Sequence, residues 1–369
     1  MKGDRPVLIA GGGTAGHVVP ALAIAAALRD AGVPRRSIQF MGSRRGQEAQ
    51  LVPAEGYAIT LFGGRGVVRT LSPAAVLAVL GVAAATLRTI IRFARQRPGV
   101  VVTVGGYAAA PAGIAAFFWR VPVLVTEQNA VAGAVNRLVG RWAAASAVSA
   151  AGVDLPRSVV TGMPVRPQML AAARDPAIRT AARADLGIGD GRLLIVITTG
   201  SLGARSVNRA VVELCDVWSD RQDLVVHHIT GRRDAPEVAG RPRVAGRLDV
   251  RLVTYEEHMD RVLAAADVAI CRAGASTVGE LCLLGVPAVL VPLPGAPRDH
   301  QRRNAEILVT AGAAVLLADE DLTADTLAAV LDPMLASAEL RAEMSRRSRS
   351  LGHPDAAAAI ARLVLEVAA

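Results

Sequence analysis

Four apolar runs in this chain each lead into a glycine-rich turn, and a helical pattern follows each turn. Unbroken apolar strands that alternate with helices predict a parallel sheet covered by helices on both faces. A helix N-terminus behind a glycine turn offers backbone N–H groups and the positive end of the helix dipole to an anion. The turns lie at residues 11–17, 105–113, 199–205 and 272–280. A single such turn often serves only close strand–helix packing, but four of them favour phosphate recognition.

The length and composition of the chain predict two α/β domains in tandem. A chain of 369 residues is too long for one ordinary core, and 52% hydrophobic residues with only 3% aromatic ones indicate a core of Ala, Val, Leu and Ile. The pattern stops at "VVTGMPVRPQM", residues 159–169, and then restarts. We therefore expect two doubly wound, Rossmann-like parallel-sheet domains that face a cleft and join near Met163. Ligands bind such sheets at the carboxyl ends of the strands.

The positive charge of the chain lies in its first half. Residues 1–162 contain 17 Lys and Arg against 6 Asp and Glu, whereas the remaining residues contain 24 against 26, within a net charge of +9. This asymmetry favours an anionic partner for the first half: a nucleic acid, a phosphorylated lipid or a membrane surface. A general preference for Arg over Lys would explain the scarcity of Lys but not the asymmetry.

Cysteine usage and the N-terminus indicate a reducing cytoplasm. The three cysteines have no metal-ligand spacing, and their odd number argues against a disulfide framework. The first residues become glycine-rich too early for the apolar region of a signal peptide.

Two uncharged runs, residues 70–87 and 99–119, approach the length of a membrane span, but neither is predicted to cross a membrane. Glycines and Pro111 divide the second run. The first is a helix of modest hydrophobicity, and Arg88, Arg92 and Arg95 follow it at the i, i+4, i+7 spacing of one helix face. An apolar run with a basic edge is typical of a helix that lies on a membrane surface, although a core helix with a solvated edge has the same pattern.

The first glycine turn has two interpretations. Gly11, Gly13 and Gly16 match the dinucleotide fingerprint G-x-G-x-x-G, but the second strand leads into Arg44 and Arg45 rather than the acidic residue that NAD requires. An NADP-dependent oxidoreductase is therefore the alternative hypothesis. The other hypothesis gives His17 the role of a general base beside a phosphate-binding loop.

Three further polar clusters follow predicted strands or precede predicted helices. Glu127, Gln128 and Asn129 form the first, and one of them would suffice to cap the next helix. Glu280 follows Thr277 at capping-box spacing, so it is either a cap or a carboxylate for ribose hydroxyls. His300 and Gln301 precede another helix, as functional or as plain surface residues. We assign no metal to the acidic string at residues 319–321, so Arg166 or Arg205 would help to neutralise a leaving diphosphate.

Taken together, these motifs resemble those of the MurG family of N-acetylglucosaminyltransferases, which make lipid II in peptidoglycan synthesis. The resemblance extends from the first strand to about Ala313. It rests on "GGGTAGHVVPALA", "GGYAAAPAG", "EQNAVAG", "GMPVR", "GSLGAR", "RAGASTVGE" and "HQRRNA", in the order and spacing of that family. It implies a GT-B architecture: an acceptor-binding, membrane-associating domain at residues 1–162, a UDP-GlcNAc-binding domain at 163–350, and a C-terminal helix at 351–369 that returns to the first domain.

The resemblance also implies roles for individual residues. Thr14, Ala15 and Gly16 would face the sugar and the acceptor, and Asn129 would touch the GlcNAc. Arg166 and Ser201 would meet the diphosphate. The backbone near Glu256 would contact the uracil, and Ala275, Ser276 and Thr277 would line the nucleotide. Glu280 would bind the ribose hydroxyls. His300 and Gln301 would recognise the GlcNAc hydroxyls. Tyr107 and Asn208 match motif positions of less certain role. Thr126 stands where many members have His, and Thr199 and Ala273 replace the usual Gly and Ser.

The implied reaction is an inverting displacement without a cofactor. The C4 hydroxyl of undecaprenyl-diphospho-MurNAc-pentapeptide (lipid I) attacks the anomeric carbon of UDP-GlcNAc, with His17 as base and Glu127 as its rival or orienting partner. The implied partners are UDP-GlcNAc, lipid I and an anionic membrane surface, with no nucleic acid. The implied location is the cytoplasmic face of the plasma membrane. A non-catalytic phosphate-binding module is a third hypothesis.

Overall fold

The computed structural model describes residues 5–63, 73–241 and 244–369, without the side chains of Ala15 and of residues 73–76. The chain forms two compact units: Met1–Arg166 together with His353–Ala369, and Pro167–Gly352. The first unit ends at Arg166, four residues after the predicted boundary at 162. Met163 and Val165 are buried. The roles assigned to the two domains stay predictions.

The first unit contains a parallel sheet of seven strands within the described residues, in the order β3-β2-β1-β4-β5-β6-β7. The order changes direction between β1 and β4, which are neighbours in the sheet. The strands are β1 (Val7–Ala10), β2 (Ile38–Ser43), β3 (Ala58–Phe62), β4 (Val100–Thr103), β5 (Val123–Glu127), β6 (Ala145–Val148) and β7 (Ser158–Val160). Strands β1, β4 and β5 are fully buried, as their unbroken apolar sequences predict.

Helices cover both faces of this sheet, which gives the unit two apolar layers. The helices are α1 (Ala15–Asp30), α2 (Glu48–Ala54), α3 (Pro73–Arg95), α4 (Ala110–Phe118) and α5 (Ala134–Gly140), with 3-10 turns at Arg35–Ser37 and Tyr107–Ala109. Helix α1 begins at Ala15, directly after the first glycines of the loop, and Thr14 is its N-cap. The C-terminal helix of the chain also packs on this unit, in the same apolar layer as α1.

The second unit repeats the plan with a parallel sheet of six strands within the described residues, in the order β10-β9-β8-β11-β12-β13. The strands are β8 (Leu193–Thr198), β9 (Leu224–Ile229), β10 (Asp249–Val253), β11 (Val268–Cys271), β12 (Ala288–Leu290) and β13 (Ala314–Leu316). Their order changes direction between β8 and β11. Both halves of the predicted fold class are therefore confirmed as doubly wound parallel sheets.

The helices of the second unit connect its strands and form its outer layers. They are α6 (Pro167–Arg174), α7 (Pro176–Asp185), α8 (Arg205–Val217), α9 (Ala235–Ala239), α10 (Met259–Ala265), α11 (Ala275–Leu284), α12 (His300–Thr310), α13 (Ala324–Ala336) and α14 (Ala338–Ser350), with 3-10 turns at Pro297–Asp299 and Asp319–Asp321. Helix α15 (Ala356–Ala368) belongs to the first unit. Leu, Ile and Val from α8, α13 and the central strands form an apolar cluster.

Within the described residues, α3 is the one helix whose length and apolar composition would allow it to cross a membrane. Its inner face packs on its own unit: Phe93 and Ala85 are buried, and Trp119 Nε1 donates a 2.9 Å hydrogen bond to the carbonyl of Ile90. Its outer face leaves large apolar side chains exposed by about half or more. These are Leu77, Val79, Leu80, Leu87 and Ile91.

Candidate functional site

The two glycine loops of the first unit meet where the strand order changes direction, which is where ligands bind doubly wound sheets. The Gly12 N–H donates a 3.4 Å hydrogen bond to the carbonyl of Gly105. Gly106 has φ = +75°, and a Cβ there would lie 2.4 Å from the Gly12 carbonyl oxygen. Only glycine fits such a position, since both the backbone angle and the close approach exclude a side chain.

His17 lies over this junction, on the first turns of α1. Its Nδ1 is 3.2 Å from Thr14 Oγ1, and its Nε2 edge is 3.1 Å from the point where a Cβ on Gly105 would stand. If the Nδ1 proton is donated to Thr14, Nε2 has a lone pair and can accept a proton from a ligand. The backbone of Ala15 and Gly16 forms the first turn of the same helix, where N–H groups have no acceptor inside the helix.

Glu127 organises its own loop. Its buried carboxylate accepts hydrogen bonds from the backbone and side chain of Asn129 at 3.0 and 3.3 Å, from the Gly133 N–H at 2.9 Å and from Asn136 Nδ2 at 2.9 Å. Four donors occupy its oxygen lone pairs, so this geometry favours a structural role over proton transfer. The next helix is capped by Gly133, so neither Asn129 nor its two neighbours are needed as its cap.

Thr126 and Tyr107 lie close to the same loops. Thr126, which stands where many MurG-like sequences have His, is buried and donates from Oγ1 to the carbonyl of Thr103 at 3.1 Å. Gln128 is also buried and donates to Thr126 Oγ1 at 3.1 Å. The Tyr107 hydroxyl donates to Ser43 Oγ at 2.7 Å.

Glu48 is a buried carboxylate that the motifs did not point to. It follows two arginines and two glycines in a polar stretch, which normally indicates a solvated carboxylate, yet it is only 2% exposed. Its two oxygens accept hydrogen bonds from the N–H groups of Gly13 and Ser43, each at 2.8 Å. The informative signal would have been the glycines at positions 42 and 46, which leave room for a buried side chain.

The second unit has corresponding loops after β8 and β9. The Ser201 carbonyl accepts a 3.0 Å hydrogen bond from the Arg232 N–H, which ties the two loops together. Asn208 is buried on α8, where Nδ2 donates to the Thr230 carbonyl at 2.9 Å and Oδ1 lies 2.9 Å from His228 Nε2. Asn208 therefore supports this loop from within.

Helix α11 follows the central strand β11, and its first turn meets the requirements of an anion site. Gly274 is the N-cap, and the buried Ser276 Oγ has no hydrogen-bond partner within the described residues. The capping-box hypothesis for Thr277 and Glu280 is wrong, because the helix already begins at Ala275 and Glu280 lies inside it. Glu280 is 8% exposed. A capping role therefore does not explain why a carboxylate stands at this buried position.

Cys271, at the end of β11, is fully buried. Burial, with a smaller contribution from the negative charge of Glu280, raises the pKa of this thiol to about 12. The thiol is therefore protonated at neutral pH and does not act as a nucleophile.

Two loops hold the remaining predicted donor residues. His300 begins α12 with Nδ1 2.9 Å from the carbonyl of Pro297, and Gln301 Oε1 accepts from the Leu293 N–H at 3.0 Å. Arg298 and Asp299, directly before them, have φ of 57° and 53°. Two successive non-glycine residues in the left-handed region are strained, and such strain often accompanies functional sites.

The Glu256 side chain is fixed by its neighbours. Its Oε2 lies 3.2 Å from His227 Nε2, and its Oε1 accepts from the His258 N–H at 2.9 Å. Burial lowers the pKa of His227, and the hydrogen bond and charge of Glu256 oppose that shift only in part. The backbone of this loop is thus held at the end of β10.

Charged groups around the second-unit loops are mostly paired. Arg205 is exposed, with Nε 3.6 Å from Asp234 and 3.9 Å from Glu237. Asp319, the first residue of the acidic string, accepts from Arg272 Nη1 at 2.5 Å, so its charge is used in an ion pair. A search of the described residues finds no group of three or more His, Cys, Asp or Glu side chains placed to hold a metal ion.

Comparison with known proteins identifies the family. Residues 7–148 match the glycosyltransferase family 28 N-terminal domain, and residues 194–360 match the family 28 C-terminal domain. A protein of Alkalilimnicola ehrlichii is 41% identical over 98% of this chain and 99% of its own length. Its name is UDP-N-acetylglucosamine–N-acetylmuramyl-(pentapeptide) pyrophosphoryl-undecaprenol N-acetylglucosamine transferase. This chain belongs to the MurG family of glycosyltransferases.

Other relatives agree with this assignment. A protein of Desulforudis audaxviator with the same name is 36% identical over 98% of both chains. The crystal structure of MurG from Acinetobacter baumannii is 28% identical, covers 98% of this chain and 99% of its own, and superposes with a TM-score of 0.77. A calicheamicin glycosyltransferase, CalG4, is 16% identical over 98% of both chains with a TM-score of 0.68, which shows the shared GT-B fold alone. The NADP-dependent oxidoreductase hypothesis has no support among these relatives.

Proposed function

We propose that this chain transfers GlcNAc from UDP-GlcNAc to the C4 hydroxyl of undecaprenyl-diphospho-MurNAc-pentapeptide, which gives lipid II and UDP for peptidoglycan synthesis and thereby serves cell shape and division. The observation that supports this most strongly is the 41% identity, over 98% of the chain, to a relative named for that reaction. The glycine loops and polar side chains found at both sheet switch points are compatible with it.

The second unit binds the donor in this proposal. The diphosphate approaches the first turn of α11, where backbone N–H groups, the helix dipole and the Ser276 hydroxyl meet its charge. Glu280 accepts hydrogen bonds from the ribose hydroxyls, and Thr277 lines the nucleotide. The loop around Glu256 contacts the uracil through its backbone. His300 and Gln301 recognise the GlcNAc hydroxyls.

Arginines and loop backbone complete the donor contacts. Arg166 and the loop at Ser201 contact the diphosphate, and Arg205 adds positive charge at the N-terminus of α8. As the bond between the anomeric carbon and the UDP oxygen breaks, these groups stabilise the charge that develops on the diphosphate.

The first unit binds the acceptor and contains the base. Thr14, Ala15, Gly16, Tyr107 and Asn129 surround the acceptor sugar in this proposal. His17 Nε2 takes the proton of the C4 hydroxyl. The hydroxyl oxygen forms a bond to the anomeric carbon from the side opposite to UDP. The configuration at that carbon therefore inverts. Because Glu127 is occupied by four hydrogen-bond donors, we assign the base to His17 and an anchoring role to Glu127.

The lipid chain of the acceptor requires contact with a membrane, and we assign that contact to the outer face of α3. Exposed Leu77, Leu80, Leu87 and Ile91 form an apolar stripe along this helix, and Phe117 and Phe118 are exposed at the end of α4. Contiguous exposed apolar surface of this kind marks an interaction site. Arg88 and Arg95 flank the stripe and are exposed. The protein would thus lie on the cytoplasmic face of the plasma membrane as a peripheral protein.

Arg92 differs from the other two arginines of the predicted basic face. Its guanidinium donates to Thr60 Oγ1 at 2.7 Å and to Gln39 Oε1 at 3.3 Å, at the edge of the sheet. Arg92 therefore contributes to the attachment of α3, and its replacement would disturb the fold as well as the surface charge.

The double substitution Arg88→Glu/Arg95→Glu is expected to weaken binding to vesicles that contain anionic lipid by at least about 30-fold. Each arginine near such a surface contributes about 1 kcal/mol, and reversal also adds repulsion. Sedimentation with vesicles of increasing anionic content measures the effect. Arg36→Glu/Arg362→Glu, which reverses two exposed arginines elsewhere in the first unit, should bind like the wild type. Equal losses in both variants would contradict the assignment to α3.

Thermal unfolding tests the donor assignment. UDP-GlcNAc at about 100 times its Kd should stabilise the folded protein by about 2.7 kcal/mol and raise its Tm. UDP-GalNAc should raise the Tm less, because His300 and Gln301 read the sugar hydroxyls. NADPH should leave the Tm unchanged. A larger rise with NADPH than with UDP-GlcNAc would overturn the proposed donor.

A further inference from the structure

We infer that Glu48 is a positioning residue for the acceptor site: its buried carboxylate holds the first glycine loop in the shape that places His17 and Tyr107. This inference rests on the proposed function, since it concerns the same reaction. Glu48 touches neither substrate in this account and acts only through the residues that it orients.

The surroundings of Glu48 are shaped around its carboxylate. Glycines at three separate points of the chain leave the space that it fills. A Cβ on Gly12, Gly42 or Gly46 would approach the Glu48 side chain to 2.3, 2.5 and 2.0 Å respectively. No ordinary contact is that short, so a larger residue at any of the three would displace the carboxylate. The carboxylate is therefore a fixed part of the loop and not a surface group that happens to fold inward.

One hydrogen bond of Glu48 connects it to His17. Glu48 Oε2 accepts the Gly13 N–H at 2.8 Å. Gly13 directly precedes Thr14, the N-cap of α1, and Thr14 Oγ1 lies 3.2 Å from His17 Nδ1. The carboxylate thus fixes the residue from which α1 starts, and with it the hydroxyl that orients the imidazole.

The other hydrogen bond connects Glu48 to Tyr107. Glu48 Oε1 accepts the Ser43 N–H at 2.8 Å, and Ser43 Oγ accepts the Tyr107 hydroxyl proton at 2.7 Å. Ser43 ends β2, and Tyr107 begins the turn after β4. A single carboxylate therefore connects the ends of β1 and β2 directly, and the loop after β4 through Ser43.

The Glu48 carboxylate is a hydrogen-bond acceptor built into the loop itself. In a G-x-G-x-x-G loop that binds a dinucleotide, the backbone N–H groups turn toward the pyrophosphate. Here an internal anion takes the N–H of Gly13, so the loop is organised before any substrate arrives. Preorganisation of this kind matters because a catalytic group displaced by about 1 Å can lose about 10²-fold in rate.

The test compares kcat and the KM for UDP-GlcNAc in four variants of the full-length protein, with wild-type transfer established first. Glu48→Gln keeps the shape of the side chain but places an NH2 group, which cannot accept a hydrogen bond, against one of the two backbone N–H groups. Gly46→Ala keeps the charge and displaces the carboxylate. Val52→Ala lowers stability from the same helix without touching the carboxylate, since Val52 is buried in the apolar layer. Gly63→Ala adds a methyl group where the structure is open.

Glu48→Gln should lower kcat by about 10²-fold with an unchanged KM for UDP-GlcNAc. Gly46→Ala should lower kcat at least tenfold, whereas Val52→Ala and Gly63→Ala should stay within about twofold of the wild type. If Glu48 had only a structural role, variants with the same loss of Tm would show the same loss of kcat. Equal kcat values for Glu48→Gln and Val52→Ala at similar Tm would therefore overturn the inference. If Glu48→Gln does not fold, Gly46→Ala decides by the same comparison. Wild-type protein without transferase activity would instead refute the proposed function.

Discussion

Replacement of His17 by alanine is expected to lower kcat by about 10²–10⁴-fold, the usual contribution of a general base. The imidazole lies where the first sheet changes strand order, and Thr14 orients it so that Nε2 faces the space above Gly105. Glu127, the rival base, has its lone pairs occupied by Asn129, Gly133 and Asn136. Removal of the imidazole therefore leaves no equivalent proton acceptor among the residues that we assign to the acceptor.

The measurement is steady-state transfer by His17→Ala alongside the Kd for UDP, which should not change because UDP binds the other unit. Thr14→Ser, which retains the hydroxyl, is the matched control and should keep most of the wild-type kcat. Thr14→Val should lose part of it. A His17→Ala protein with near wild-type turnover would refute the assignment, and Glu127→Gln would then be the next variant to measure.

Glu280→Ala is expected to weaken UDP-GlcNAc binding by about 1.5–3 kcal/mol, or about 10- to 150-fold in Kd. Glu280 is buried on α11, two turns at most from the N-terminus of the helix. Hydrogen bonds from the two ribose hydroxyls to this carboxylate have a charged acceptor, and such bonds are stronger than those between neutral groups. Loss of the carboxylate also leaves the hydroxyls desolvated without partners.

Calorimetric titration with UDP-GlcNAc measures the change, and thermal unfolding of the free protein is recorded in parallel. Because Glu280 is not a helix cap, we expect the loss in affinity to exceed any loss in stability. Glu339→Ala, which removes an exposed carboxylate from the same unit, should bind the donor like the wild type. A folded Glu280→Ala variant with unchanged donor affinity would remove Glu280 from the donor site.

The sequence predicted the fold well because the strands are buried on both faces. Such strands are unbroken apolar runs, and glycine turns mark their carboxyl ends. Strand β1, at Val7–Ala10, is one such run. Helix starts were predicted less well, since glycine can be an N-cap without any side-chain signal. Gly274 caps α11 in this way, which shifted the expected start and suggested a cap role for Glu280 that the structure does not support.

Side chains that turn inward account for most of what the sequence did not predict at the site. Glu48 lies in a polar stretch and Arg92 follows the spacing of a basic helix face, yet both bond to segments distant along the chain. Asn208 matched a family motif, yet its partners Thr230 and His228 show that it supports a loop from below. Sequence spacing along one element cannot reveal partners that only the tertiary fold brings together.

The most direct test of the proposed function is a transfer assay with purified protein, UDP-GlcNAc and a synthetic lipid I analogue in detergent or vesicles. We expect release of one UDP for each acceptor consumed, and a disaccharide product in which GlcNAc is joined through a β linkage to the C4 oxygen of MurNAc, because the α-linked donor is inverted. Hydrolysis of UDP-GlcNAc without a disaccharide, an α-linked product, or no reaction with this donor under conditions where the protein is folded would contradict the proposal.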